Sequence, residues 1–184
     1  MSDHLAIGEQ DPTGVDLYSQ DKAITSAAAA LRAQLPFECE RIDYHGRYLV
    51  SGSTSIAAAY TSAGDRVKWK GMTPEITKAF EDLRKAMYRP GEGTWFSVKM
   101  TVWVDGRAQT EFNYDQEPVI GIVTPSGIEY LTDQHFFPID EDRQPQWLKD
   151  RLAAGGQELH KYGKKSYPQW LVQMIADGNK PSWL

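Results

Sequence analysis

The sequence holds a single cysteine, Cys39, so no internal disulfide can form, and neither a paired-cysteine metal knuckle nor a disulfide scaffold is available. This suits a reducing compartment. A basic excess is missing too: 20 lysines and arginines stand against 25 aspartates and glutamates, for a formal charge of -5 and a pI near 5.4. A nucleic-acid binder needs a basic stripe to meet phosphates, which disfavours that class, and an acidic protein suits a basic partner. No stretch approaches the roughly 20 apolar residues of a membrane span. The opening MSDHLAIGEQDPTG has neither the basic nor the apolar region of a secretion signal. The chain is therefore expected to be soluble and cytoplasmic, with neither nucleic acid nor membrane as partner.

Catalytic signatures are scarce as well. His4, His45, His135 and His160 are scattered, with no HExxH or HxH spacing, and a metal site begun by Asp133 and His135 lacks an obvious third ligand. No GxSxG, GxGxxG or GxxxxGK(S/T) occurs, and Cys39 in PFECER has no histidine near it in sequence. No cofactor, metal or catalytic constellation is expected.

What is present points to one α+β domain, with an antiparallel sheet of about five or six strands flanked by helices. With 184 residues, 41% of them hydrophobic, the chain can bury a real core. Residues 1–16 are polar with Gly8, Pro12 and Gly14 and read as a loose leader; the domain occupies 17–184. The alanine-rich run 18–35 places Ile24, Ala27, Ala28, Leu31 and Leu35 on one helical face and stops at Pro36. Residues 38–70 alternate loosely between glycines, as two or three strands do. A second helix starts at Thr73-Pro74, with Ile76, Phe80, Leu83 and Met87 at helical spacing, and ends before Pro90-Gly91. VIGIV is a short apolar run, GIEYL reads as a strand, and two further helices are expected over 145–156 and 166–179. Each of these has proline near its start and glycine at its end.

Residues 95–114 read as a hairpin around Asp105-Gly106. A two-residue turn would mix both faces. A three-residue loop closing on a left-handed Gly106 pairs Trp103 with Arg107 and sets Phe96, Val98, Met100 and Val102 against Tyr114, Phe112, Thr110 and Ala108, one apolar face. The other face then carries Trp95, Ser97, Lys99, Thr101 and Trp103 beside Gln109, Glu111, Asn113 and Asp115. Tryptophans among polar groups suit a binding surface, though a helix packed there would make the same tryptophans core. The acids of EFNYDQEP, Glu111, Asp115 and Glu117, suit general acid–base work only if buried, and on an alternating strand Glu111 and Asp115 point to water. Asp140, Glu141 and Asp142 form a solvated turn that can also meet a basic partner.

Leu83, Arg84 and Met87 in LRKAM, Gly93 to Phe96, Gly106, Phe112 to Asp115, Glu117, Pro118, Tyr130, Asp133, Phe137, Pro138, Trp147 and Leu148 together resemble the YezG-like family of bacterial immunity proteins. The stretch covers 76–150. The family resemblance departs at Ile139, where arginine is frequent, and the last thirty residues have no counterpart. It implies an antitoxin that binds and occludes a cognate secreted toxin as a heterodimer, similar to the partners of NAD-cleaving toxins such as the tuberculosis necrotizing toxin. The implied docking residues are Trp95, Lys99, Trp103, Glu111, Asn113, Asp115, Glu117, Asp133, Asp140, Glu141 and Asp142. Phe112 and Tyr114 would hold the sheet to the core, while Asn113, Asp115 and Glu117 meet lysine or arginine of the toxin. A small enzyme or ligand-binding module using the EFNYDQEP carboxylates, and a structural or regulatory module without a toxin, are the competing classes.

Overall fold

Alanines among the packed positions let a helix lie close to its neighbour, and the first helix does so. The computed structural model describes residues 17–69, 71–181 and 184. The leader expected over 1–16 lies outside them, as do Ser182 and Trp183 of the closing PSWL. Helix α1 (Leu17–Arg32) buries Ala27, Ala28 and Leu31 against α2 (Pro74–Ala86), which is capped by Thr73 Oγ1 accepting from the Ile76 N–H at 3.4 Å and buries Ile76, Phe80 and Leu83. Both helices cover one face of a five-stranded antiparallel sheet. Its strands are β1 (Arg41–Leu49), β2 (Gly52–Tyr60), β3 (Arg66–Val67), β4 (Ser97–Trp103) and β5 (Ala108–Asn113), in the order β3-β2-β1-β4-β5. The chain is thus α+β.

The hairpin has the bulged turn expected from its pattern. Trp103 N donates to Arg107 O at 3.0 Å, Gly106 has φ of +99°, and Val98, Met100 and Val102 pair with Phe112, Thr110 and Ala108. Met100 and Phe112 share the helix-covered core with Ile42, Tyr44, Tyr48 and Phe80. That register does not extend to Phe96 and Tyr114, however. The backbone bends at Phe96, so β4 begins at Ser97 and the two aromatics before it exchange sides. Trp95 is fully buried in the helix-side core against Tyr48 and Phe112, whereas Phe96 packs with Leu49, Tyr130, Ile139 and Leu148 on the other side. Tyr114 is 39% exposed and does not hold the sheet.

That other side is built by α3 (Gly127–Phe136), α4 (Gln146–Tyr162), a 3-10 turn (Gly163–Ser166) and α5 (Gln169–Ala176). GIEYL is therefore helix, not strand. Ser126 and Glu129 form a reciprocal capping box, with the Ser126 N–H donating to Glu129 Oε2 at 2.8 Å, and the local turn they fix overrides the apolar run that suggested a strand. Nor does Gly155-Gly156 end α4, which runs on to Tyr162. Gly155 is instead where α3 and α4 touch: a Cβ there would sit 2.5 Å from the Gly127 carbonyl carbon. Pro145 and Pro168 both immediately precede their helices in extended conformation, as their shared PQWL suggested.

The two halves are joined by one buried ion pair. Arg84 Nη1 and Nη2 donate to Asp133 Oδ1 and Oδ2, both at 2.8 Å, and Arg84 Nε donates to Trp95 O at 2.9 Å. The Val50 N–H completes Asp133 at 2.9 Å, and the guanidinium lies 4.8 Å from the centre of the Phe137 ring. Bidentate pairing with every remaining polar atom engaged is the geometry in which a buried pair survives loss of water.

Candidate docking surface

β1 reads RIDYHGRYL, and its even residues Ile42 and Tyr44 enter the core. Its odd residues therefore face away from α1 and α2. At the Arg47 end this outer face is roofed by the 118–125 strap: Arg47 is 5% exposed, donating to Val123 O at 3.0 Å and to Thr54 Oγ1 at 2.9 Å, and Ile120 of the strap is buried. At the opposite end no described helix covers it. Three rows of side chains cross the strands there, following the pairing register: Ile56, His45, Lys99 and Glu111; then Ala58, Asp43, Thr101 and Gln109; then Tyr60, Arg41 and Trp103. A shallow hollow of about 490 Å³ lies among Asp43, His45, Tyr60, Arg66, Lys99 and Thr101.

The charges on this surface are fixed in place by one another. Asp43 accepts from Thr101 Oγ1 at 3.1 Å and from Arg41 Nε at 3.2 Å, and the Arg41 guanidinium stands 4.5 Å from the centre of the Tyr60 ring. Arg107 stands 4.9 Å from the Trp103 ring centre, tethered to Asp105 at 2.7 Å. Lys99 and Glu111 pair across strands at 3.6 Å. His45 is held below its ordinary pKa of 6.5, chiefly by burial and further by Lys99 beside it, with Glu111 acting in the opposite sense. At neutral pH this row presents a neutral imidazole next to a compensated ion pair.

The residues expected to form one docking surface are distributed over three surroundings. Lys99, Trp103 and Glu111 lie on the bare half of the sheet. Asp140, Glu141 and Asp142 are exposed at the other end, in the connection between α3 and α4, and Asp115 is exposed in the turn after β5. Asp115 there lines a cleft of about 690 Å³ with Met87, Arg89, Glu92, Tyr114 and Arg143. The rest are engaged within the chain, and two of them are internal. Trp95 is removed from the surface by the bend at Phe96, and Asp133 by Arg84. Asn113 locks the turn after β5, accepting from the Gln116 N–H at 2.9 Å and donating to Gln116 O at 2.8 Å. Glu117 accepts from Arg151 Nε at 2.8 Å. The three carboxylates of EFNYDQEP thus meet different surroundings and do not converge.

Arg41, Asp43, His45, Ile56 and Tyr60, which complete the bare half-face, were not among the expected residues. Their signal was available in the alternation of β1, whose polar odd positions match those of β4. Cys39 is 4% exposed, and burial with Glu38 nearby raises its thiol pKa, so it is not an activated nucleophile. Among the described residues no group of three or more His, Cys, Asp or Glu is placed to hold a metal ion, and no helix is long and apolar enough to cross a membrane. No protein-family model matches the chain, and no curated protein matches it.

Proposed function

We propose that the protein is an immunity protein that neutralises a cognate secreted toxin by laying the bare half of its sheet against the toxin's active-site cleft. The observation that carries this reading is the half-exposed row Tyr60, Arg41 and Trp103, in which each aromatic ring is braced by a guanidinium at 4.5 or 4.9 Å. Tyrosine, tryptophan and arginine are the side chains that dominate binding energy at protein interfaces, and holding them in place beforehand lowers the entropy lost on docking. The resemblance of residues 76–150 to YezG-like immunity proteins supplies the partner class. An NAD-cleaving toxin is the favoured member of that class.

The test starts from the gene neighbourhood, where this reading expects an adjacent gene for a long secreted protein with a toxin-like carboxy-terminal domain. Co-expression with its carboxy-terminal domain should rescue growth, and titration into the toxin's cleavage assay should abolish turnover at one equivalent. Trp103→Ala combined with Tyr60→Ala should release the toxin faster at unchanged fold, as judged by circular dichroism. Full inhibition by that double variant would remove the bare face from the mechanism, and failure of the two proteins to co-purify would remove the immunity reading itself.

A further inference from the structure

We infer that the trough between α4 and α5 binds a small planar aromatic carboxylate, with its ring over Gly156 and its acid group at Lys149. The trough measures about 710 Å³, within the range of small-ligand cavities. Two glycines stand side by side in α4, and only one has a packing reason. A Cβ on Gly155 would run into the Gly127 backbone, whereas a Cβ on Gly156 would meet no atom within 4 Å. A glycine inside a helix destabilises it relative to alanine, so Gly156 carries a cost that no contact of the fold requires. What it leaves is open floor. Lys149, Leu152 and Gly156 fall on one stripe of α4 at helical spacing, and all three line the trough.

The opposite wall is aromatic and held in advance. Trp170 Nε1 donates to Thr132 Oγ1 at 3.0 Å, and the His135 ring stacks on the indole with centres 4.4 Å and planes 15° apart. Met174, one turn further along α5, continues the wall with a polarizable thioether. A flat ring entering between Gly156 and this wall meets an indole that is already ordered, which lowers the entropy lost on binding.

The charge sits at one end. α3 begins against Gly155 and ends at the connection that leads into α4, so the two helices run antiparallel and the His135 end of the trough is also the Lys149 end. Lys149 is half-buried there without an ion-pair partner among the described residues, and Glu141, the acid that lines the same end, makes no pair with it. Beside them Gln134 accepts from the Ile139 N–H through Oε1 at 3.1 Å, which leaves its Nε2 a buried donor with no acceptor. A cation without an anion and a donor without an acceptor, both at one end of an otherwise apolar trough, select a carboxylate. Lys149 stands two helical turns from Gly156, about 10 Å along the axis, which a fused two-ring aromatic acid spans.

The trough shares no residue with the bare half-face, so the inference is independent of the toxin reading and is tested without toxin. The probe is 2-naphthoate, with the uncharged 2-naphthalenemethanol as its control. Titration of the full chain followed by amide NMR should give saturable binding of naphthoate with a Kd of about 1 mM or below, with shifts confined to α4, α5 and the end of α3. The alcohol should bind at least about fivefold more weakly. Gly156→Leu fills the floor and suits the helix better, so it should raise the urea midpoint while weakening naphthoate at least about tenfold. Lys149→Met should bring naphthoate down to the affinity of the alcohol. No saturable binding up to about 10 mM, shifts spread evenly over the surface, an affinity unchanged in Gly156→Leu, or equal binding of acid and alcohol to the unmodified chain would overturn it.

Discussion

Arg84 and Asp133 have side chains 4% and 1% exposed, and each neutralises a charge that burial would otherwise make untenable. Asp133→Ala strands the guanidinium and frees the Val50 N–H, so it should cost about 3–5 kcal/mol, read as a lower urea midpoint. Replacing both partners, Arg84→Met with Asp133→Leu, should cost clearly less than the single change, because no uncompensated charge remains. If the double variant is as unstable as Asp133→Ala, the pair is not what limits this region. A second residue-level consequence concerns pH. His45 and His135 are both held below their ordinary value of 6.5, in each case first by burial. Lys99 and Glu111 face His45, while Trp170 stacks on His135 at 4.4 Å. The folded state therefore prefers neutral imidazole, and the unfolded chain takes up protons first as pH falls. Stability from these two sites is complete above about 6.5 and is lost as the pH descends through their lower native pKa values. Urea unfolding should show a falling midpoint on acidification, with a shallower fall in His45→Gln and His135→Gln.

At the level of elements, α3 is set by its first turn. Ser126→Ala removes half of the capping box and should cost about 1 kcal/mol in thermal or urea unfolding. Gly155→Leu acts more severely, since even a Cβ at that position would fall within 3 Å of the Gly127 backbone and force α3 and α4 apart. Its effect should include increased exchange of α3 amides rather than a uniform loss. The same elements mark what could be read from the residues. Helical periodicity was decisive for α1 and α2 because one face of each is apolar and the ends carry Thr73, Pro74 and Pro36. The bulged hairpin followed from demanding one uniform face. GIEYL misled because its apolar residues fit strand and helix alike, while the deciding signal, Ser126 with Glu129, is a local capping pair. Trp95 misled for another reason: period-two alternation holds only while the backbone stays extended, and the bend at Phe96 breaks it. The pairing of Arg84 with Asp133 joins residues 49 positions apart, which no local pattern encodes.

Across the whole molecule, the exposed acids Asp115, Glu141 and Asp142 lie apart from the bare half-face, so on the proposed immunity reading they would act on a basic toxin by steering rather than by contact. Reversing Glu141 and Asp142 to lysine should slow association several-fold at low salt and matter little near 1 M, where screening shortens to about 3 Å. Trp103→Ala should leave association unchanged and speed dissociation by the equivalent of about 2 kcal/mol. Stopped-flow binding at two salt concentrations separates the two, and an on-rate blind to both charge and salt would dismiss steering. The strand order has a further consequence, for the chain as it is made. β1–β2 and β4–β5 are neighbours in sequence and can close quickly, but the central seam joins β1 to β4 across the whole of α2. Until Trp103 has left the ribosome, the nascent hairpin of β1 and β2 is open along both of its sides, with Ile42 and Tyr44 beside a seam that has no mate. Slow translation between residues 60 and 103 would lengthen that interval, during which a nascent chain can take a strand from its neighbour instead of from itself.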